Sequence, residues 1–216
     1  MDCFNPESLR NGVASVIPNG YTAYARVFHP AMEVAGAIQT KLSWADVARA
    51  NGRVVHPQMQ WLNISRGRRA FPSGAEIRQP QTGDLPALEL ERLAGLLAPH
   101  TSTPHRVWLA IWEGWGHFLQ RLRVAAVSIP ERSYYLFRGD ITDSGQPFAK
   151  PFGQSANMWW PDDRAWFVST EIDFMWTYVA GSRQCIDDVL ADPVLEVLPS
   201  RANHRLAFDS DQINID

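Results

Sequence analysis

The chain has 216 residues and a formal net charge of −3 at pH 7, with 45% hydrophobic and 20% charged residues. This length suits one sizeable domain, the aromatic content of 11% excludes an intrinsically disordered protein, and the slight negative charge argues against a nucleic-acid-binding protein. Nine tryptophans and fifteen prolines are the unusual features.

The sequence carries no sign of export or membrane insertion. The first residues lack the basic start and apolar run of a secretory signal, and no window approaches 18 consecutive apolar residues. Two cysteines in a chain of this length do not make a disulfide framework. We therefore expect a cytoplasmic protein with no membrane partner.

The first half of the chain predicts a strand, two helices and a long loop. Residues 21–29 have the composition of a strand and follow the turn signal Asn19-Gly20. Ser43–Asp46 matches a capping box that begins a short helix. Residues 63–84 contain several Gly and Pro residues, so we interpret them as a loop. Asp84 is predicted to cap the next helix, whose apolar face is formed by Leu90, Leu93 and Leu97.

The second half predicts more strands. Residues 106–113 are apolar on both faces, which is typical of a central strand. Strands at 121–129 and 133–138 follow with short connections, which favour antiparallel neighbours. Residues 140–163 contain many Gly, Pro and Asn residues and are predicted to form a loop. A strand region spans 165–180.

Ser182 is predicted to cap a last helix, and the polar tail 199–216 is predicted to fray or pack loosely. We therefore expect a single α+β domain over residues 1–216. Its mostly antiparallel sheet would have five to six strands, with three to four helices packed on it.

The strand region 165–180 carries two candidate catalytic acids. In a continuous strand, Glu171 and Asp173 share one face with Cα atoms roughly 6.6 Å apart. Two such carboxylates can divide acid and base roles or bind a divalent cation, with Arg138 or Arg164 nearby. The alternative interpretation is a solvated strand face whose acids have no function, and a bulge or turn near 171–174 would change the facing.

Tryptophans in predicted loops form a second candidate site. Trp115 lies between two glycines, and Trp159 and Trp160 lead into Asp162 and Asp163. Large rings in loops often line a groove or an interface, and rings beside carboxylates suit a sugar, a cationic ligand or a partner protein. The alternative is that these rings attach their loops to the sheet.

No nucleophile or phosphate-binding motif is present, and the histidines match no zinc spacing. We therefore expect no metal or cofactor and favour a non-catalytic binding protein, whose partner is an unknown protein or a small polar ligand. One alternative is a hydrolase-like enzyme using Glu171 and Asp173. Another is an immunity or antitoxin protein that binds a basic partner.

Several segments resemble a family of uncharacterised actinobacterial proteins; they are residues 21–30, 111–116, 132–139, 159–166, 170–173 and 178–182. The resemblance covers most of the chain. That family has no established activity, so the resemblance implies a bacterial, cytoplasmic setting but no residue roles.

Overall fold

The structure is a computed structural model, and it describes residues 12–67, 75–115, 124–129, 132–145 and 154–215. The helices within these ranges are α1 (Trp44–Ala50), α2 (Trp61–Ser65), α3 (Ala87–Leu97) and α4 (Arg183–Leu190). The strands are β1 (Ala23–Phe28), β2 (Ala31–Ala35), β3 (Ile38–Leu42), β4 (Glu76–Arg78), β5 (Val107–Trp112), β6 (Ala126–Ile129), β7 (Arg132–Gly139), β8 (Met158–Pro161), β9 (Trp166–Ser169), β10 (Trp176–Gly181) and β11 (Val197–Ser200).

A large antiparallel sheet organises the molecule. Its eight strands follow the order β11-β1-β10-β9-β8-β5-β7-β6, and each neighbouring pair is antiparallel. The predicted α+β class with an antiparallel sheet is confirmed, and β5 is central as predicted. The sheet is nevertheless larger than the five to six strands expected.

The additional strands come from segments that were predicted to be irregular. Strand β8 lies inside the predicted loop 140–163, and β11 begins two residues before the predicted loose tail 199–216 and ends within it. The region 165–180 is two strands joined by a turn, as the alternative interpretation allowed. The proline and glycine residues of 140–163 predict a loop. The strand within this segment is only four residues long, too short to give a pattern of its own.

A second, three-stranded sheet with the order β3-β2-β4 was not predicted. Strand β4 falls within the predicted loop 63–84, so that prediction is wrong for residues 76–78. Residues 68–74 of the same loop lie outside the described residues, as do residues 121–123 of the predicted strand 121–129 and residues 146–153 of the predicted loop 140–163.

The helix starts at α1 and α4 follow the predicted caps. The Ser43 side chain accepts a hydrogen bond from the Asp46 amide, and the Ser182 side chain accepts one from the Cys185 amide. The prediction for Asp84 is wrong, because α3 begins at Ala87. Asp84 is buried and instead accepts hydrogen bonds from the Ser155 amide and the Gln81 side chain.

The large sheet has two differently covered faces. Its helix-covered face packs against α3 and α4, with Trp159, Trp166 and Val179 in the core. Its second face packs at one end against α1 and α2, around Phe28 and Trp176. Two hydrophobic cores therefore flank one sheet.

The second face is concave. Strands β6 and β10 are five positions apart, which in a flat sheet is roughly 24 Å. One groove is nevertheless lined by Val127 of β6 and Gly181 of β10. The sheet must therefore curl toward this side, which we call the concave face.

The end of the chain packs onto the fold, unlike the expected loose tail. Asp211 is 1% exposed and accepts hydrogen bonds from the Gln60 amide and the His56 ring. Asn214 exchanges two hydrogen bonds with the backbone of Val54. No helix within the described ranges is long and apolar enough to cross a membrane.

Candidate functional site

A groove of about 710 Å³ lies on the concave face of the large sheet. Its walls come from residues 18–22 before β1, from Val127 and Ser128 of β6, and from the junction of β10 with α4. Strands β8 and β9 provide its floor. The groove thus lies at the end of the concave face that is opposite to α1 and α2.

The floor of the groove is aromatic. The rings of Trp160 and Phe167 are stacked, with centroids 5.2 Å apart and an interplanar angle of 16°. The register explains this contact, because Trp159 pairs with Val168 and the next residue pair therefore faces the opposite side of the sheet. Trp160 is partly exposed, so its ring is available to a bound molecule.

The turn between β8 and β9 places an arginine at the edge of the groove. The Arg164 amide donates a hydrogen bond of 2.9 Å to the Pro161 carbonyl, and Arg164 has a φ of 54°. A left-handed backbone is unfavourable for a residue other than glycine. Arg164 is exposed and is the charged side chain among the described lining residues of the groove.

Polar residues complete the lining of the groove. Tyr21, Thr22, Ser128 and Ser182 all contribute to its walls. The Thr22 hydroxyl donates to the Gly181 carbonyl over 3.3 Å, which joins the segment before β1 to the end of β10. The described lining contains no Asp, Glu, His or Cys.

The two predicted catalytic acids lie elsewhere. Glu171 and Asp173 are in the turn between β9 and β10, and Arg132 contacts their carboxylates over 3.5 Å and 2.9 Å. The Glu171 side chain is 15% exposed, whereas that of Asp173 is 57% exposed. Burial raises the pKa of Glu171, while the Asp173 amide and Arg132 oppose that rise. Neither acid is among the lining residues of the groove.

The predicted arginine partners of these acids have other positions. Arg138 pairs with Asp162, and its guanidinium lies 5.2 Å from the centroid of the Trp108 ring. Arg164 lines the groove. The expected proximity of either arginine to Glu171 and Asp173 is therefore not found.

Asp162 and Asp163 stabilise the turn that follows β8. Asp162 accepts a hydrogen bond of 2.9 Å from the Trp108 indole. Asp163 accepts hydrogen bonds of 2.7 and 2.8 Å from the amide and hydroxyl of Ser102. These contacts account for both carboxylates without a ligand.

The three tryptophans that were predicted to lie in loops have different surroundings. Trp159 is 1% exposed and packs edge-on against Trp166, with centroids 5.1 Å apart, so its predicted availability to a ligand is wrong. Trp115 is half-buried and donates a hydrogen bond of 3.1 Å to the Asn157 side chain. Trp160 is the ring that lines the groove.

The remaining candidate reactive groups also have structural surroundings. Cys185 is fully buried, and burial raises its pKa to about 12, so it remains a thiol. Among the residues that the structure describes, no cluster of three or more His, Cys, Asp or Glu residues is arranged to hold a metal ion.

Sequence reasoning missed Tyr21, Phe167 and Ser182 as parts of one site. In a continuous strand, Phe167 would share the face of Glu171, but the turn at 171–174 interrupts the strand. The residues Pro161-Asp162-Asp163-Arg164 have the composition of a tight turn. Interpreting them as a hairpin turn would have paired Trp160 with Phe167.

No protein-family model, no curated protein and no solved structure matches this chain. The resemblance to the actinobacterial family therefore stays a prediction.

Proposed function

We propose that this protein is a non-catalytic binding protein for a small amphipathic ligand. The ligand would have a flat apolar part and one anionic group, and it would occupy the groove on the concave face. The observation that carries this proposal is the stacked pair Trp160 and Phe167 in a groove whose lining includes the exposed Arg164.

The groove has the dimensions of a small-molecule site. Its volume of about 710 Å³ falls within the range of roughly 300–1,000 Å³ that is usual for such pockets. An aromatic floor favours flat ligands, because stacking adds about 0.5–1.5 kcal/mol beyond the apolar area that is buried. The partly exposed ring of Trp160 supports a ligand that completes this burial.

The charge at the edge of the groove selects the polar end of the ligand. Arginine binds carboxylate, sulfonate or phosphate groups through paired hydrogen bonds. No acid lies among the described lining residues to neutralise Arg164. An anionic group on the ligand is therefore favoured over a cationic one, which changes the expectation from the acidic residues near Trp159 and Trp160.

A binding role is favoured over catalysis by the chemistry of the groove. Its described hydroxyl groups have no histidine or carboxylate beside them in the lining, and a serine nucleophile requires an adjacent base. The acids Glu171 and Asp173 are already bound by Arg132 at another place.

Two fluorescent probes test this proposal. The anionic probe is 8-anilinonaphthalene-1-sulfonate, and the neutral probe is N-phenyl-1-naphthylamine. Trp160→Ala should weaken binding of both probes by about tenfold, because each aromatic contact contributes about 1 kcal/mol or more. Arg164→Gln should weaken only the anionic probe, by about fivefold.

Arg78→Gln is the matched control, because Arg78 is an exposed arginine on β4 in the small sheet. It removes the same charge and should change the affinity of neither probe. Equal effects of Arg164→Gln and Arg78→Gln on the anionic probe would contradict the proposal. Unchanged binding of both probes to Trp160→Ala would also contradict it.

A further inference from the structure

One wall of the groove contains an asparagine followed by a glycine. Asn19 and Gly20 lie in the turn before β1, both are exposed, and both line the groove. Gly20 has a φ of 111°, which residues with a Cβ rarely adopt. A Cβ built on Gly20 would meet no atom within 4 Å. Nothing therefore crowds the backbone of this dipeptide from that side.

The two groups that react in an Asn-Gly pair are both free here. Among the residues that the structure describes, none forms a hydrogen bond with the Asn19 side-chain amide or with the Gly20 backbone amide. A glycine after an asparagine also lets its amide nitrogen approach the asparagine side chain easily, because no Cβ hinders the approach. Asn19 is thus followed by an accessible nucleophile.

A second Asn-Gly pair, at the end of α1, is held by hydrogen bonds. The Asn51 side-chain amide donates hydrogen bonds of 3.0 Å to the carbonyls of Val47 and Ile64. The Gly52 amide donates one of 3.1 Å to the Arg49 carbonyl. These bonds must open before the two groups can react. The chain therefore contains a free and a held copy of the same dipeptide.

We propose that Asn19 is a deamidation site whose product lowers the affinity of the groove for anionic ligands. The Gly20 amide nitrogen loses its proton and attacks Asn19 Cγ, and the bond between Cγ and Nδ2 breaks as ammonia leaves. Water then opens the succinimide ring to aspartate or isoaspartate. One water is consumed and one ammonia is released, with no oxidation or reduction. Either product carries one carboxylate at position 19.

The effect on binding rests on the proposed function of the groove. Asn19 and Arg164 line the same groove of about 710 Å³. A groove of this volume is about as wide as one Debye length, roughly 8–10 Å at physiological ionic strength. A carboxylate at position 19 therefore repels a bound anion and offsets the charge of Arg164 with little screening. A neutral ligand is not affected.

Peptide mapping by mass spectrometry tests the chemical step. The natural chain is incubated in mildly alkaline buffer, and conversion of amide to acid is followed at each asparagine. Asn19 should deamidate at least about tenfold faster than Asn51, because several hydrogen bonds at Asn51 must open first. Sequencing the fragments separates Asn19 from Asn11, which also precedes a glycine and lies outside the described residues. Equal rates at Asn19 and Asn51 would overturn the proposal.

The same measurement in urea shows whether the fold causes the difference. In the unfolded chain both dipeptides lose their tertiary contacts, so Asn19 and Asn51 should react at similar rates. A difference that persists in urea would count against the proposal, because the fold would then not be its cause.

Asn19→Asp carries the charge of one product and tests the effect on binding. It should bind the anionic probe about fivefold more weakly and the neutral probe as tightly as the natural chain. Gln39→Glu is the matched control, because it makes the same change from amide to acid at an exposed residue of β3 that does not line the groove. It should change the affinity of neither probe.

The outcomes separate this inference from the proposed function. If Asn19→Asp leaves the anionic probe unaffected while Arg164→Gln weakens it, the effect of Asn19 on binding is overturned and the proposed function stands. If neither Trp160→Ala nor Arg164→Gln changes probe binding, the proposed function fails, and the effect of deamidation on binding fails with it. Fast reaction at Asn19 would then still support the modification site itself.

Discussion

Trp159 and Trp160 are neighbours in β8, yet they face opposite sides of the large sheet and have different surroundings. Trp159 lies under α3 and α4 against Trp166, and it is 1% exposed. Trp160 lies on the concave face, stacks on Phe167 and remains partly exposed. The same residue type is thus core on one face and part of a binding groove on the other. The difference is the layer that covers it.

The largest effect is expected from comparing these two residues by alanine substitution. Trp159→Ala should lower the free energy of unfolding by about 4 kcal/mol, because it leaves a large cavity in a packed core. Trp160→Ala should lower it by only about 1–2 kcal/mol, since its ring is partly exposed. Urea denaturation measures both values. Equal losses would mean that the two faces are equally packed.

The stability of the fold should depend on pH through His29, which follows β1. This histidine is fully buried, and its ring nitrogens contact the Gln81 carbonyl over 2.6 Å and the Thr177 hydroxyl over 3.0 Å. Burial lowers its pKa to about 4, with the hydrogen bond to Gln81 opposing that change. The unfolded chain therefore binds a proton between about pH 6.5 and 4 while the folded chain does not.

The contribution of His29 is fully present above about pH 6.5 and is lost as the pH falls to about 4. It should amount to about 3 kcal/mol, at roughly 1.4 kcal/mol per pH unit. The difference in unfolding free energy between the natural chain and His29→Gln should therefore shrink as the pH falls. Measuring the difference isolates His29 from carboxyl groups that titrate nearby. A constant difference from pH 7 to pH 4 would contradict this expectation.

The backbone conformation of Arg164, at the edge of the groove, should lower the free energy of unfolding. Its φ of 54° is unfavourable for a residue with a Cβ, so Arg164→Gly should stabilise the fold by about 1 kcal/mol. The same variant should bind the anionic probe about fivefold more weakly. Arg164→Gln keeps the Cβ and should not be stabilised, which makes it the control. A stabilisation of both variants would show that the side chain, rather than the backbone, is unfavourable.

The smallest effects are expected for the acids in the β9–β10 turn. Burial raises the pKa of Glu171, so the folded state favours its protonated form and Glu171→Gln should change stability by less than about 1 kcal/mol. The contribution of Glu171 to the free energy of unfolding falls as the pH rises from about 4.5 through the raised pKa. Asp173→Asn should have a still smaller effect, because its side chain is 57% exposed.

Neither variant should change the affinity of the anionic or the neutral probe, because neither acid lines the groove. Isothermal titration or probe fluorescence checks this, with Trp160→Ala as the positive control. A tenfold loss of probe affinity in Glu171→Gln would contradict this expectation and indicate that the acids belong to the binding site.

The helices that the sequence predicted well are those with local signals. Helix α1 begins at its Ser43 cap, and α4 begins at its Ser182 cap. Each cap hydrogen bond joins residues only three positions apart, so a short window of sequence contains both partners. Asp84 carries the same kind of signal, but a distant partner, Ser155, takes its side chain.

The strands were less predictable because their partners are distant. The small sheet includes β3, whose residues are mostly exposed and show no alternation that indicates a buried face. Strand β8 is short, and its pairing with β5 and β9 decides its structure. Of the predicted site residues, Trp160 and Arg164 line the groove, whereas Trp159, Glu171 and Asp173 do not.

The sequence by itself determined the α+β class, the central position of β5 and the caps of α1 and α4. These follow from hydrogen bonds and periodicity within a few residues. Only the tertiary structure decided which tryptophan is exposed and where the groove lies. Its walls join residues 18–22 to Val127 and Ser182. Such distant segments meet only because the sheet pairs and curls, and no local pattern encodes that approach.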